Sequence, residues 1–258
     1  MAQVIAPASK VLRDHFGINH SPGQYVVALA GNPNVGKSTV FNGLTGLRQH
    51  TGNWPGKTVD NAQGTFTHNN QSFLLVDLPG TYSILARTAE EEIARDFLCF
   101  GHPDVTLVVL DATCLERNLN LALQIMEITP DVVICVNLMD EARKKQIQID
   151  INALEKELGV PVVATAARQN EGLAHLLEVL HQVAAGKYKT SPKQLRYSPE
   201  IEEAIGLLLP SIECLIDKRL NSRWVALRLL EGDRTFLETI AMHLRLTDYH
   251  FTKEAAIR

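Results

Sequence analysis

Five short apolar runs recur along the first two thirds of the chain, and each has the length of a buried β-strand. They lie at residues 25–31, 72–80, 104–112, 131–140 and 160–167. Stretches with helical spacing separate them, beginning at about residue 37 and continuing at 90–100, 118–128, 151–158 and 173–185. Apolar strands that alternate with amphipathic helices predict an α/β domain with a mostly parallel sheet and helices on both faces.

The segment NAQGTFTHNNQSFLLVD, which leads into the second apolar run, predicts a hairpin that turns at Asn69 and Asn70. A hairpin places neighbouring strands antiparallel. We therefore expect one edge strand of this sheet to run against the others.

The strand pattern stops after residue 186, and the remainder predicts a small all-α domain. A polar linker with two prolines, GKYKTSPKQLRYSPE, leads into a first helix that Ser198 can cap, with Pro199 in its first turn. Pro210 is expected to kink or split this helix. Gly232 is expected to end a second helix, and Asp233 can cap a third.

These patterns divide the chain into three parts. Residues 1–24 form an N-terminal extension, residues 25–186 form the sheet domain, and residues 187–258 hold the linker and the helical domain. The tail either packs passively on the sheet domain or acts on it, and periodicity leaves both options open.

Composition narrows the class of protein. The 258 residues are 45% hydrophobic and 21% charged, which is enough for a real core. A net charge of −4 argues against a nucleic-acid partner. The four cysteines form no CxxC pair and the nine histidines show no zinc-site spacing, so we expect reduced thiols and no zinc site. No segment approaches the roughly 18 apolar residues of a membrane span.

The sequence GNPNVGKST between the first strand and the first helix fits the P-loop pattern GxxxxGK[ST]. Backbone N–H groups of such a loop point at a β-phosphate, Lys37 supplies positive charge, and Ser38 offers a hydroxyl to Mg²⁺. The residues that this motif assigns to the nucleotide are Gly31, Asn32, Pro33, Asn34, Val35, Gly36, Lys37, Ser38 and Thr39.

The sequence NLMD at the end of the fourth apolar run indicates which nucleotide base the site selects. It comprises Asn137, Leu138, Met139 and Asp140, and parallel sheets bind ligands at such strand ends. A carboxylate from Asp140 can accept hydrogen bonds from guanine N1–H and the 2-amino group, which disfavours ATP. Asn137 can bridge the base edge and the P-loop. Taken alone, NLMD would be an ordinary strand-end turn.

Two further strand ends complete the predicted site. In DLPG, which comprises Asp77, Leu78, Pro79 and Gly80, the aspartate can hold Mg²⁺ through water and the N–H of Gly80 can sense a γ-phosphate. In ATAAR, the backbone at Ala166 and Ala167 is expected to meet the guanine O6.

This order of motifs resembles the Ras-like, translation-factor-type GTPases over residues 25–185. Three stretches, GNPN, RQHTGNWPGKTVD and SRWVALRLLEGD, are similar to the cytosolic N-terminal region of FeoB, the bacterial ferrous iron transporter. The sequence departs from the common GTPase pattern twice. Leu138 replaces the lysine of NKxD, which implies modest affinity and fast exchange, and Ala166 replaces a serine.

The resemblance implies a chain that is part of a longer transporter whose membrane permease domain passes Fe²⁺. Its partners would be GTP, GDP and that membrane domain, at the cytoplasmic face of the bacterial inner membrane, with this portion itself soluble. The helical tail would match the family's GDP-dissociation-inhibitor-like domain and relay the switch state. A homo-oligomer stays open.

By the same resemblance, Gly56, Lys57, Thr58 and Val59 belong to switch I. Thr58 would join Ser38 and Asp77 around Mg²⁺ in the triphosphate state. Catalytic roles then fall to Asn34, Lys37, Thr58 and Gly80.

Asn34 raises the question of how this GTPase neutralises charge on the phosphates. The residue after Gly80 is Thr81 rather than glutamine, the P-loop contains no arginine, and Arg48 and Arg87 have no assured reach. The amide oxygen of Asn34 can ligate a monovalent cation, as in the K⁺ site of potassium-activated GTPases, with the carbonyls of Gly52 and Trp54 completing the shell. Alternatively, Asn34 only braces the loop and Trp54 is an exposed loop aromatic.

Three functions therefore compete. The first is a K⁺-stimulated GTPase module that regulates or powers Fe²⁺ uptake, the second a soluble ribosome- or tRNA-linked GTPase, and the third a nucleotide-gated binding module in which hydrolysis is incidental.

Overall fold

The computed structural model describes residues 16–18, 20–46, 49–85, 88–216 and 220–244. The chain forms two compact units, residues 1–195 and 196–258. The polar segment 187–195, predicted as linker, packs on the first unit. There Ser191 N–H donates to the carbonyl of Gly159 at 2.9 Å, and Lys193 N–H donates to the carbonyl of Leu158 at 2.9 Å.

The first unit is built on a seven-stranded sheet with the order β2-β3-β4-β1-β5-β6-β7. The strands are β1 (Tyr25–Gly31), β2 (Gln49–Asn53), β3 (Asp60–His68), β4 (Gln71–Asp77), β5 (Val105–Asp111), β6 (Val132–Asn137) and β7 (Val162–Ala164). The pairs β4-β1, β1-β5, β5-β6 and β6-β7 are parallel. All five strands predicted from apolar runs are present, and β1, β5 and β6 are buried nearly throughout because helices cover both faces.

The predicted hairpin is confirmed. Asn69 and Asn70 have φ of 49° and 61°, the left-handed values of a tight two-residue turn, and β3 pairs antiparallel with β4. The expectation that the antiparallel strand lies at the edge is wrong: β3 runs against the other strands, but β2 pairs with its far side and forms the edge. Strand β2 was not predicted, because its polar sequence QHTGN contains no apolar run. Its antiparallel pairing with β3 defines it.

Helices fill the connections of the first unit. They are α1 (Lys37–Thr45), α2 (Ala89–Phe100), α3 (Leu115–Ile128), α4 (Met139–Lys144), α5 (Ile151–Leu158) and α6 (Leu173–Ala184). The short helix α4 and a 3₁₀ turn at Ala167–Gln169 were not predicted. A core of buried residues joins the sheet to α1 and α6, with Leu29, Phe41, Phe73 and Leu180 at its centre.

The second unit contains α7 (Pro199–Ile216), α8 (Ser222–Leu230) and α9 (Arg234–Leu244). The predicted cap of the third helix is confirmed, since Asp233 Oδ1 accepts from Phe236 N–H at 3.0 Å. Pro210 lies inside α7 without splitting it, and buried Ile205 and Ile212 hold the helix on either side of the proline. The fold class predicted from the sequence, a Ras-like G domain followed by a small all-α domain, is confirmed.

Candidate functional site

The P-loop lies between β1 and α1 and takes a backbone that its sequence permits. Gly36, directly before α1, has φ of 83°, and a Cβ there would lie 2.4 Å from Nδ2 of Asn137. Both the dihedral angle and the close approach therefore require glycine. Asn34 also has a positive φ, 66°, and its side chain is exposed.

Lys37 and Asp77 form an ion pair within this loop region. The Lys37 ammonium also donates to the carbonyl of Leu78 at 2.6 Å. Burial raises the pKa of Asp77, while the charge and hydrogen bond of Lys37 act in the opposite direction. The lysine predicted to hold phosphate and the aspartate predicted to hold Mg²⁺ are therefore direct neighbours.

Asn137 joins three loops through its side-chain amide. Its Nδ2 donates to the carbonyl of Val35 in the P-loop at 3.1 Å. Its Oδ1 accepts from Thr165 Oγ1 at 3.0 Å and from Ala167 N–H at 3.1 Å. The predicted bridge from Asn137 to the P-loop is thereby confirmed, and all the groups involved are buried.

Thr165 is a site residue that the sequence argument missed. It lies within the quoted ATAAR motif, and a buried hydroxyl beside a strand end is the signal that could have identified it. Its backbone carbonyl also accepts from Met139 N–H at 3.1 Å, which fixes the start of α4.

The NLMD segment, predicted to bind the base, turns into α4 at Leu138, which has φ of 63°. Asp140 in the first turn of α4 is half-buried, and its Oδ2 accepts from Gln169 Nε2 at 3.3 Å. Gln169 was likewise not predicted from the sequence. The carboxylate thus lies beside the loop that contains Ala166 and Ala167.

Backbone donors of that last loop already have partners within the chain. Ala166 N–H donates to the carbonyl of Glu171 at 3.1 Å, and Ala167 N–H donates to Asn137 Oδ1. The assignment of these two positions to the guanine O6 stays a prediction.

The DLPG segment runs alongside the P-loop. Leu78 N–H donates to the carbonyl of Leu29 at 2.9 Å, and Thr81 N–H donates to the carbonyl of Gly31 at 3.3 Å. A Cβ on Gly80 would lie 3.5 Å from the backbone of Pro33. Thr81 is buried, so this position presents no side chain that could orient water as glutamine does.

The segment predicted as switch I forms a hydrogen-bonded turn after β2. Trp54 N–H donates to the carbonyl of Val59 at 2.9 Å, and the Trp54 carbonyl accepts from Lys57 N–H at 3.0 Å. Thr58 is exposed, and Lys57 forms an ion pair with Glu92 of α2 at 2.9 Å.

The indole of Trp54 is buried rather than exposed, which corrects the alternative of an exposed loop aromatic. It packs edge-on against Phe97 of α2 and Phe16, with ring centroids 5.6 Å and 6.4 Å away. Both partners are distant in sequence, so the motif alone gave no sign of this cluster.

The residues present fit the predicted cations to different degrees. Ser38 and Thr58 offer exposed hydroxyls and Asp77 a carboxylate, the oxygen donors that Mg²⁺ prefers. For K⁺, Asn34 offers an exposed amide oxygen, whereas Gly52 lies on β2 and the Trp54 carbonyl already accepts from Lys57. Within the described residues, no hydrogen bond joins the Asn34 side chain to Gly52 or to Trp54.

Three further positions considered in the sequence are Asn32, Arg48 and Arg87. The side-chain amide of Asn32 is buried, and neither of its polar atoms has a hydrogen-bond partner among the described residues. Arg48 and Arg87 lie outside the described residues.

Fold and site together define a P-loop, GTP-binding G domain followed by a helical unit. The chain belongs to the family of ferrous iron transport protein B: that family's model matches residues 25–180, and a model described as the FeoB cytosolic helical domain matches residues 197–256.

Curated relatives include the Fe(2+) transport protein A/Fe(2+) transporter FeoB fusion protein of Porphyromonas gingivalis, 40% identical over 212 residues, and the Fe(2+) transporter FeoB of Escherichia coli K12, 37% identical over 230 residues. These matches cover 81% and 84% of this chain, but only 25% and 29% of the relatives. The chain therefore spans little more than a quarter of their length.

Solved structures with the same fold include the cytosolic domain of the T. maritima FeoB iron transporter in a GDP form, with a TM-score of 0.76 and 36% identity. That match covers 92% of this chain and 91% of the other. The cytosolic domain of L. pneumophila FeoB matches with a TM-score of 0.76 and 33% identity, over 87% of this chain and 90% of the other. In the described part of this chain, no helix has the length and hydrophobicity needed to cross a membrane.

Proposed function

We propose that this chain binds and hydrolyses GTP and serves as the cytosolic nucleotide-dependent module of a ferrous iron transporter. The observation that carries the proposal is the side chain of Asn137, which ties the P-loop to the segment that holds Asp140. This tie fixes a phosphate-binding loop and a guanine-selective carboxylate relative to each other. The family match supports the assignment to iron transport.

Binding of a triphosphate requires Lys37 and Asp77 to change partners. Lys37 would turn from the carboxylate to the β- and γ-phosphates, and Asp77 would turn to the water shell of Mg²⁺. Ser38 and Thr58 would hold the ion directly, with Thr58 brought in by closure of switch I. When bound, Mg²⁺ and K⁺ supply positive charge where negative charge develops on the phosphates.

The proposal extends to stimulation by K⁺, with Asn34 as the side-chain ligand. No arginine lies in the P-loop, and the residue after Gly80 is the buried Thr81 rather than a glutamine that could orient water. The amide oxygen of Asn34 is exposed beside the loop and is a suitable neutral ligand. Carbonyls of Gly52 and Trp54 would complete the shell once switch I closes.

The helical unit and the membrane complete the proposed setting. Residues 196–258 form a compact unit of their own, which suits a relay between the G domain and a membrane permease domain that passes Fe²⁺. The module would then work at the cytoplasmic face of the bacterial inner membrane. The match of this unit to the family's helical domain favours this setting over a ribosome- or tRNA-linked GTPase.

The test is the release of phosphate from GTP by the purified chain with Mg²⁺, in KCl and in NaCl at equal ionic strength. ATP is the comparison nucleotide and Lys37→Ala the inactive control. We expect hydrolysis of GTP only, faster in KCl, and none from Lys37→Ala. Tight GTP binding without turnover in either salt would instead identify a nucleotide-gated binding module.

A further inference from the structure

Three side chains of types that can bind a metal ion lie together where the β3–β4 hairpin packs on α6. His68 is the last residue of β3, and Glu178 and His181 lie three residues apart in α6. One potential ligand atom from each lies within 4.8 Å of the others. This group, the His68–Glu178–His181 cluster, is partly buried.

The cluster lies far from the nucleotide site. His68 pairs with Gln71 at the start of β4, whereas Asp77 at the other end of β4 contacts Lys37 of the P-loop. Strand β4 spans seven residues, or about 20 Å at the usual rise per residue. The cluster is therefore independent of the nucleotide-binding machinery.

Glu178 is oriented by several donors. His68 Nε2 lies 2.9 Å from Oε2 of Glu178, and Asn69 Nδ2 donates to the same oxygen at 3.0 Å. Gln182 Nε2, one helical turn away, donates to Oε1 at 2.9 Å. Such outer hydrogen bonds hold a ligating carboxylate in place and are typical of metal sites.

The ring of His181 is equally well placed. Its Nδ1 lies 3.4 Å from Asn69 Nδ2, and the ring packs edge-on against Phe73 and His68 with centroids 6.1 Å and 5.9 Å away. All these residues sit on a strand, a tight turn or a helix, so the geometry rests on rigid elements.

Two imidazoles and one carboxylate select a particular kind of ion. Imidazole nitrogen suits the divalent ions from iron to zinc, whereas Mg²⁺ and Ca²⁺ prefer oxygen alone. Zn²⁺ sites with three protein ligands of this type keep one position for water. In a tetrahedral site with bonds of about 2.0–2.1 Å, ligand atoms lie about 3.4 Å apart. His68 Nε2 and Glu178 Oε2, which lie 2.9 Å apart, therefore need to separate by roughly 0.5 Å to admit the ion.

We propose that the His68–Glu178–His181 cluster binds a divalent transition-metal ion of the iron-to-zinc series. The ion replaces the hydrogen bond between His68 and Glu178: Nε2 of His68 and a carboxylate oxygen of Glu178 become ligands, and the proton of the neutral imidazole lies on Nδ1. It also joins the tip of the β3–β4 hairpin to α6.

The test is a titration of the full chain, stripped of metal, with Co²⁺ followed by visible absorption, and then with Zn²⁺ as competitor. The parent carries Cys114→Ser and Cys214→Ser, because these two exposed thiols also bind such ions. We expect one Co²⁺ per chain, displaced by Zn²⁺ and unaffected by millimolar Mg²⁺. Thermal denaturation should show a higher Tm with Zn²⁺ than without it.

Variants separate the proposed site from general surface binding. Glu178→Gln and His181→Ala should each weaken Co²⁺ binding by at least about tenfold. His175→Ala is the matched control, because His175 is an exposed histidine on the same helix outside the cluster. The Co²⁺ affinity of this variant should equal that of the parent.

Equal affinities in the parent, Glu178→Gln and His181→Ala would overturn the proposal, and so would failure of the parent to take up one Co²⁺. The cluster would then be only a set of hydrogen bonds that fastens the hairpin to α6. Should a variant fail to fold by circular dichroism, imidazole NMR signals of the parent decide the question. If the proposal holds, Zn²⁺ shifts the imidazole signals of His68 and His181 but not the signal of His175.

Discussion

The side-chain amide of Asn137 donates to the backbone carbonyl of Val35, 102 residues earlier in the chain, at 3.1 Å. The same side chain accepts from Thr165 and Ala167 through its other polar atom. One buried residue thus fixes the P-loop, the base-binding segment and the last loop relative to one another.

Replacement of Asn137 by alanine should therefore weaken nucleotide binding and lower the stability of the G domain. An unpaired buried carbonyl at Val35 costs about 1–3 kcal/mol, which corresponds to about 5- to 150-fold in affinity if the loop is displaced. Titration with a fluorescent GDP analogue and thermal denaturation measure the two effects. Asn137→Asp keeps the acceptor for Thr165 and Ala167, removes the donor to Val35 and adds a negative charge. Unchanged affinity in that variant would show that the bridge to the P-loop is dispensable.

Asp140 should determine the choice of base. Asp140→Asn replaces an acceptor with a donor, so GTP binding should fall and xanthosine triphosphate binding should rise. A charge-assisted hydrogen bond is worth about 1.5–3 kcal/mol, or roughly 10- to 150-fold. Competition titrations measure both affinities, with Gln169→Ala as the control that removes only the intramolecular partner of Asp140. Equal competition by ATP and GTP in the unaltered chain would contradict the assignment.

Asn34 should be tested with glycine as well as alanine. Because Asn34 has φ of 66°, alanine there is strained whatever the role of the amide, whereas glycine removes the amide without strain. If Asn34 ligates K⁺, both variants should lose stimulation by K⁺, with kcat lower by at least about tenfold, or roughly 1.4 kcal/mol of barrier. KM should change little, since the cation acts on charge that grows in the transition state.

The comparison is made by steady-state phosphate release in KCl and NaCl. Stimulation that survives in Asn34→Gly, or a parent chain that is indifferent to K⁺, would leave Asn34 as a brace of the loop.

The helical unit should show acid sensitivity centred on Glu202. Both Glu202 oxygens accept from Arg223 at 2.7 Å, and one also accepts from Tyr197 N–H at 2.9 Å. The hydrogen bonds of Arg223, followed by that of Tyr197, lower the pKa of Glu202 from 4.5 to about 2. A carboxyl whose pKa is lower in the folded state stabilises it above the unfolded pKa, and this contribution is lost between about pH 4.5 and pH 2.

Carbon-detected NMR of the side-chain carboxyl measures the pKa of Glu202 directly. Glu202→Gln should flatten the dependence of Tm on pH within that window. Glu203→Gln removes the same charge from the same helical turn without breaking the pair with Arg223, and should leave the dependence intact. A measured pKa of Glu202 near 4.5 would show that the pair does not form in solution.

Much of the G domain could be predicted because its signals are local. Residues 25–31 and 131–140 are apolar runs of strand length, and the Asn69-Asn70 turn has its own chemistry. Strand β2 could not be predicted in this way, because QHTGN has no hydrophobic pattern and forms a strand only through pairing with β3. Its existence depends on long-range hydrogen bonds rather than on local preference.

In the candidate site too, local motifs could be predicted from the sequence, whereas contacts between distant residues could not. Motif spacing indicated Lys37, Asp77 and Asn137 separately, but the pairing of Lys37 with Asp77 and the contribution of Thr165 appear only in three dimensions. The His68–Glu178–His181 cluster is the clearest case. Spacing argued against a metal site because His68 lies 110 residues from Glu178, and the turn of one hairpin brings them together.

The burial of Trp54 has a practical consequence for measurement. The chain contains two tryptophans, and Trp224 is the other, buried in α8 against Phe236. Each compact unit therefore holds a single tryptophan. Under selective excitation of tryptophan, Trp54→Phe would leave tryptophan emission from the helical unit alone, and Trp224→Phe would leave only that of the G domain. Denaturation followed by fluorescence would then resolve the unfolding of the two units without any added label, and the signal of Trp54 would report movement of switch I directly.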